Sequence, residues 1–155
     1  MEEYQVKAAY ILNVAKFIDW PNEDNRTSSE PFTICIIGLN PFGHWLDDSI
    51  GVESPKGRRL DVRRIAAVRQ SGGCRILFLS SSVRKQFASI LGALDDRNVL
   101  TMGDCDEARA AGVAVNFIRS GTRVRFEINV EAAKKCGLRI SPRLLSLATI
   151  VSTPM

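Results

Sequence analysis

Apolar residues recur along this chain at two periods, which predict a mixture of helices and strands. In residues 3–18 they recur at helical spacing, which predicts an amphipathic first helix; they are Tyr10, Ile11, Val14, Phe17 and Ile18. Lys7 and Lys16 are expected on its other faces. The helix should end at Trp20-Pro21, because the residue before a proline is pushed out of the α region.

Short apolar runs between turn residues predict the strands. Two of them, FTICIIG and CRILFL, have the length and composition of strands buried on both faces. The predicted strands are residues 32–38, 60–65, 74–79 and 98–102. Helices are expected between them: a short one from Asn40-Pro41 through Leu46, one over residues 83–94 capped by the serines 80–82, and one capped by Asp104 and running through Ala111.

The C-terminal block, residues 112–148, predicts two strands, a helix and an apolar tail. Alternation of Val and Phe with Arg and Asn on either side of Ser120-Gly121 is typical of an antiparallel hairpin. Asn129 should cap the helix that follows, and Gly137 should end it. The whole pattern predicts an α/β fold: a single-domain sandwich with a mixed β-sheet, helices packed on it, and a C-terminal antiparallel hairpin followed by a helix.

Composition and charge narrow the classes of function that this chain could have. The 155 residues are 45% hydrophobic and 25% charged, as in an ordinary soluble globular domain, and the net charge is a modest +4. The arginines are scattered without interleaved aromatic residues, which favours solvated strand faces over a nucleic-acid surface. No apolar run is long enough to span a bilayer. The start, MEEYQVKAAY, lacks the basic and apolar regions of a signal peptide.

Candidate catalytic chemistry is sparse. Residues 38–43 (GLNPFG) follow a strand but are neither GxGxxG nor a P-loop, so an ordinary strand-to-helix turn is the preferred interpretation. His44 is the one histidine, and a catalytic role would require a partner such as Asp47 or Asp48. We therefore expect no enzyme activity, no cofactor and no metal site.

Two features are candidates for binding a partner or ligand. Trp20 ends the first helix beside a polar loop, as an interface anchor or as a packing residue at the edge of the core. Arg139 and Arg143 flank Ser141-Pro142 and would offer cations to an acidic partner or small anion, or simply lie in solvent.

The four cysteines, Cys35, Cys74, Cys105 and Cys136, form no CxxC pair, which argues against a zinc or thioredoxin-like site. Their even number permits two disulfides in an oxidising compartment. Four small buried residues with free thiols are the alternative, and the count leaves both open.

The order of motifs resembles the YfiR-like family of small periplasmic proteins. The matching pieces are AAYILNVAKFIDWP, FTICIIGLNPFG, CRILFLSSS and the stretch from VNFI through VRFEINVEAAKKCGLRISPRLLSLA. Together they cover about residues 4–148, so residues 1–155 are predicted to be one YfiR-like domain.

The resemblance implies a non-enzymatic repressor in the periplasm. Such a protein binds the periplasmic sensor domain of an inner-membrane diguanylate cyclase, keeps cyclic-di-GMP low and so restrains biofilm formation. It further implies sequestration by an outer-membrane peptidoglycan-binding lipoprotein, and a homodimer. The alternative is a periplasmic small-ligand sensor with a pocket near Trp20 and Arg139.

The family's intramolecular disulfides also imply a pairing among the three possible ones. Cys35 and Cys74 lie on two apolar strands that could be neighbours in the sheet, so we pair them first. Cys105–Cys136 then remains as the second expected disulfide.

Overall fold

A seven-stranded β-sheet is the centre of the fold, seen in a computed structural model that describes residues 3–20, 31–49, 58–94 and 98–152. The strands are β1 (Ile18–Asp19), β2 (Phe32–Ile37), β3 (Leu60–Ile65), β4 (Cys74–Leu79), β5 (Leu100–Gly103), β6 (Val115–Ser120), β7 (Arg123–Asn129), β8 (Arg139–Ile140) and β9 (Thr149–Val151). The α-helices are α1 (Glu3–Ala15), α2 (Phe87–Ala93), α3 (Asp106–Ala111), α4 (Val130–Lys135) and α5 (Pro142–Leu145).

The sheet is mixed, as predicted. Its strand order is β3-β2-β4-β5-β6-β7-β9. The strands from β3 to β6 are parallel, β7 is antiparallel to β6, and β9 is parallel to β7. β1 and β8 form a separate antiparallel pair. The mixed sheet and the predicted C-terminal hairpin are therefore both confirmed.

Burial on both faces of the central strands produces a three-layer arrangement. Every residue of β2 is buried; Phe32, Ile34 and Ile36 belong to one apolar cluster, whereas Cys35 and Ile37 belong to another. The first cluster includes residues of α1, α4 and α5 and is called the α1-side cluster. The second includes residues of α2 and α3 and is called the α2-side cluster. This two-sided burial explains why the strand reads as a continuous apolar run.

A β-bulge brings the first predicted cysteine pair together. Thr33 pairs with Cys74, and the register then shifts because Arg75 is an extra residue in β4. Side chains alternate between faces along a strand, so the extra residue moves Cys74 to the face that Cys35 occupies. A disulfide joins these two cysteines, whose Cα atoms are 5.8 Å apart, and the prediction is confirmed.

The second predicted disulfide, Cys105–Cys136, is wrong. Both residues carry free thiols. Cys105 precedes α3 and packs against the α2-side cluster, whereas Cys136 follows α4 and packs against the α1-side cluster. The sheet therefore separates the two sulfur atoms.

Three predicted helices are shorter than expected or absent. The one expected over residues 83–94 is a 3-10 helix over Ser81–Gln86 followed by α2. α1 ends at Ala15 rather than at residue 18, because Ile18–Asp19 pairs with a distant segment, β8. The short helix predicted from Asn40 through Leu46 is a series of turns. There the Asn40 side chain accepts a hydrogen bond from the Phe42 amide and donates one to the Gly43 carbonyl, both at 3.0 Å. These bonds favour a turn over a helix.

A buried ion pair docks α1 against the carboxyl end of β5. The Lys7 ammonium lies 3.0 Å from the Asp104 carboxylate, and both side chains are only 3% exposed. The Tyr4 hydroxyl donates to the same Asp104 oxygen at 2.6 Å, and Lys7 also contacts Glu3 at 2.5 Å. Burial, together with the hydrogen bond to Asp104 and its charge, raises the pKa of Tyr4.

This cluster corrects two predictions. Lys7 is a buried residue of α1 and not part of its solvent-exposed faces. Asp104 does not cap α3, which begins at Asp106 with Cys105 in the capping position. The carboxylate is turned instead toward the ammonium and hydroxyl of α1, because an unpaired charge at this depth would be costly.

The predicted ends of α4 are confirmed. The Asn129 side chain accepts a hydrogen bond from the Ala132 amide at 3.0 Å, which caps the helix. Gly137 follows with a left-handed φ of 78°, a conformation that glycine adopts without steric cost. The Leu138 amide bonds back to the Ala133 carbonyl and closes the helix end.

Removing the disulfide should destabilise the protein measurably. In Cys35→Ala with Cys74→Ala, the free energy of unfolding should fall by about 3–4 kcal/mol, because the bridge closes a loop of 39 residues. Urea unfolding without reductant measures this. The matched control, Cys105→Ala with Cys136→Ala, should lose about 1 kcal/mol or less. Thiol titration of the unreduced, denatured chain should find the two free cysteines; four thiols would contradict the bridge.

Neutralising Asp104 should destabilise the docking of α1. Asp104→Asn leaves Lys7 buried with only one carboxylate, at a cost of roughly 3 kcal/mol in the free energy of unfolding. Adding Lys7→Met should recover much of that loss. The exposed Glu107→Gln, nearby in α3, should change stability by less than about 0.5 kcal/mol. Equal losses in Asp104→Asn and Glu107→Gln would refute the role of the pair.

Candidate functional site

Trp20 packs at the edge of the core, which is one of its two interpretations from the sequence. It is 3% exposed, and its ring meets the Phe32 ring edge to face with centroids 5.4 Å apart. Little of the ring is left exposed to anchor a partner. The aromatic residue instead fixes the chain as it leaves β1.

The structure brings the tail that carries Arg139 and Arg143 alongside the end of α1. Asp19 of β1 is the register partner of Arg139, and the Ser141 amide donates to the Phe17 carbonyl at 2.9 Å. The Ser141 hydroxyl then caps α5 by accepting from the Arg143 amide. Both arginines are exposed. They remain candidates for contact with an acidic partner.

The loop after β2 is occupied by neighbouring side chains. Gly38 has a φ of +99°, and a Cβ there would lie 2.7 Å from the Ser82 hydroxyl. The Leu39 amide already donates to that hydroxyl at 2.9 Å. The loop therefore packs on the serines after β4, which agrees with its interpretation as a structural turn.

His44 and the free cysteines offer no assembled reaction centre. His44 Nδ1 lies 2.7 Å from an Asp48 oxygen, and both side chains are about two-thirds exposed to solvent. Burial raises the pKa of the Cys105 and Cys136 thiols, which disfavours their nucleophilic thiolate forms. Within residues 3–20, 31–49, 58–94 and 98–152, no group of three or more potential metal ligands is present.

A groove of about 640 Å³ lies between α1 and the β6–β7 hairpin. We call it the α1–hairpin groove. It is lined by Glu3, Val6, Tyr10, Arg119, Thr122, Arg123, Val124, Arg125, Phe126 and Leu147.

Apolar and aromatic side chains form much of the groove. Tyr10 stacks on Phe117 with ring centroids 6.3 Å apart and contacts Phe126 at 6.1 Å. Leu147, beside them, is 69% exposed. The exposed leucine next to half-buried aromatic rings gives the groove an apolar surface that a partner could cover.

The charges around the groove are mainly positive. Arg119, Arg123 and Arg125 are exposed, and Glu3 is the one acid among the lining residues. Glu3 is already paired, with Lys7 at 2.5 Å and with Arg119 at 3.3 Å. The groove therefore combines an apolar surface with an excess of cations.

Sequence reasoning missed this groove. The hairpin arginines were interpreted as a solvated strand face, because their alternation with Val124 and Phe126 is what any half-exposed strand shows. Val6 and Tyr10 lie four residues apart on α1 and so share a helix face, which was the other available signal. Nothing local indicated that these two faces meet.

Sequence reasoning also missed a buried carboxylate beneath α3. Glu127 of β7 accepts a hydrogen bond from Arg109 at 2.7 Å and one from Asn116 at 3.3 Å. Its side chain is almost fully buried. The guanidinium balances its charge, so Glu127 ties α3 to the hairpin.

Comparison with solved structures identifies a similar fold. A structure titled "the ABC domain in complex with L-Trp", from Streptococcus pneumonia, superposes with a TM-score of 0.55 at 8% sequence identity. The superposition covers 77% of this chain and 55% of that chain, so the present chain matches only about half of its length. At this identity the likeness concerns the fold alone.

The family comparison is more specific. In the described part of the chain, every helix is too short or too polar to cross a bilayer. A model of the YfiR/HmsC-like family matches residues 4–149, which include all but the ends of the sequence. The chain therefore belongs to the YfiR/HmsC-like family, a family of periplasmic, non-catalytic regulators of diguanylate cyclase signalling.

Proposed function

We propose that this protein is a periplasmic repressor that binds the periplasmic sensor domain of an inner-membrane diguanylate cyclase. Binding lowers cyclic-di-GMP output and restrains biofilm formation. The observation that carries the proposal is the family match over residues 4–149. An outer-membrane peptidoglycan-binding lipoprotein that sequesters the repressor, and a homodimeric state, are further parts of the proposal.

The proposed mechanism is a population shift without chemistry by this chain. The repressor binds the inactive arrangement of the cyclase's sensor domain more tightly than the active one, and the difference in binding free energy sets the shift. To move the cyclase from almost fully active to almost fully inactive, the two affinities must differ about 10⁴-fold. An interface of several contacts is required for such discrimination.

The tail supplies one group of these contacts. Arg139 and Arg143 are exposed on β8 and α5, and the pairing of β8 with β1 holds them in a fixed position. Trp20, which directly follows β1, is buried and offers little surface to a partner. Arginines held in this way suit an acidic surface, because a guanidinium forms paired hydrogen bonds with carboxylates.

Reversing the tail charges should weaken the complex. With Arg139→Glu and Arg143→Glu combined, the Kd for the purified periplasmic domain of the cognate cyclase should rise about tenfold or more, since opposed charges then repel. Calorimetry or interferometry with the oxidised protein measures the Kd. Arg69→Glu with Lys85→Glu reverses two exposed cations outside the tail; it is the matched control and should bind like the original chain. If the unaltered protein does not bind the domain, the proposed function is refuted.

A further inference from the structure

We infer that the α1–hairpin groove docks a segment of the cyclase's periplasmic domain that presents apolar side chains flanked by carboxylates. The inference rests on the proposed function for the identity of the partner. It assigns that partner a contact surface beyond Arg139 and Arg143, together with a chemistry.

The apolar part of the groove is suited to bind apolar side chains of the partner. Val6, Tyr10, Val124 and Phe126 are half-buried where α1 faces the hairpin, and Leu147 is 69% exposed beside them. Covering such a surface removes apolar area from water, which favours binding. A partner segment with one or two large apolar side chains would do so.

The positive charges of the groove are suited to bind carboxylates of the partner. The acidic lining residue, Glu3, is engaged with Lys7 and Arg119. Arg123 and Arg125 form no ion pair with any other described residue, and both are exposed at the groove. Three arginines against one glutamate leave a local excess of two positive charges, which an acidic segment would balance.

The same arginines argue against a second copy of this chain as the occupant. In a two-fold symmetric contact the same surface lies on both sides, so the groove would meet a second groove that carries the same excess of arginines. Like charges brought together in this way are unfavourable. Charge complementarity therefore favours a different, acidic partner at this face.

The test uses two groove variants and a control with the purified periplasmic domain of the cognate cyclase. Leu147→Glu alters the apolar part, and Arg123→Glu with Arg125→Glu alters the cations; each should raise the Kd at least tenfold. Leu39→Glu is the control and should change the Kd less than twofold, because Leu39 is 75% exposed but lies outside the groove. Thermal melting confirms that every variant is folded.

Salt dependence separates the two contributions. Between 50 and 500 mM NaCl the Kd of the unaltered chain should rise. This rise should shrink most in the double arginine variant, which replaces two cations by two carboxylates, and less in Leu147→Glu, which adds a single carboxylate. If the unaltered chain binds and both groove variants bind equally well, the inference is overturned while the proposed function stands. Sedimentation that shows Leu147→Glu breaking a homodimer would also overturn it. If the unaltered chain does not bind, both proposals fall together.

Discussion

The docking of α1 across the sheet is the constraint on which the rest of the molecule depends. Apolar residues of α1 fill the α1-side cluster, and the buried Lys7–Asp104 pair fixes the helix along its axis. Removing two charges from water is costly, and a well-packed apolar pair would often be as stable. We therefore infer that the ion pair mainly sets the register of α1 on the sheet. It adds less to the net stability of the fold. That register positions one wall of the groove, and β1, which follows α1, positions the tail through β8.

A second constraint acts at the centre of the sheet. Because β2 is buried on both faces, its neighbour β4 must also supply apolar groups to two clusters. The bulge at Arg75 changes which face Cys74 occupies and so allows the bridge to Cys35. A single inserted residue thus converts two adjacent strands into a covalently linked pair, without disturbing the apolar alternation in the remainder of β4.

Local patterns predicted most strands and the ends of α4, because periodicity and capping are properties of neighbouring residues. The predictions that were wrong concern residues whose contacts lie far away in the chain. Asp104 resembles a helix cap, but Lys7 and Tyr4, almost one hundred residues away in the chain, determine where its carboxylate points. Cys105 and Cys136 were paired by elimination, and no local signal indicated that the sheet lies between them. The groove was missed for the same reason, since its walls come from opposite ends of the chain.

The tail and the groove lie on the same side of the sheet, whereas the disulfide lies on the other. Leu147 lines the groove only four residues after Arg143, and α1 and α5 both pack in the α1-side cluster. A partner that covers the groove would therefore approach the tail from the same side of the sheet. The Cys35–Cys74 bridge is buried in the α2-side cluster, with the sheet between it and that face. Reduction of the bridge would thus affect the interface only by lowering the stability of the sheet. Any effect of reduction on partner binding should therefore follow the fraction of protein that unfolds.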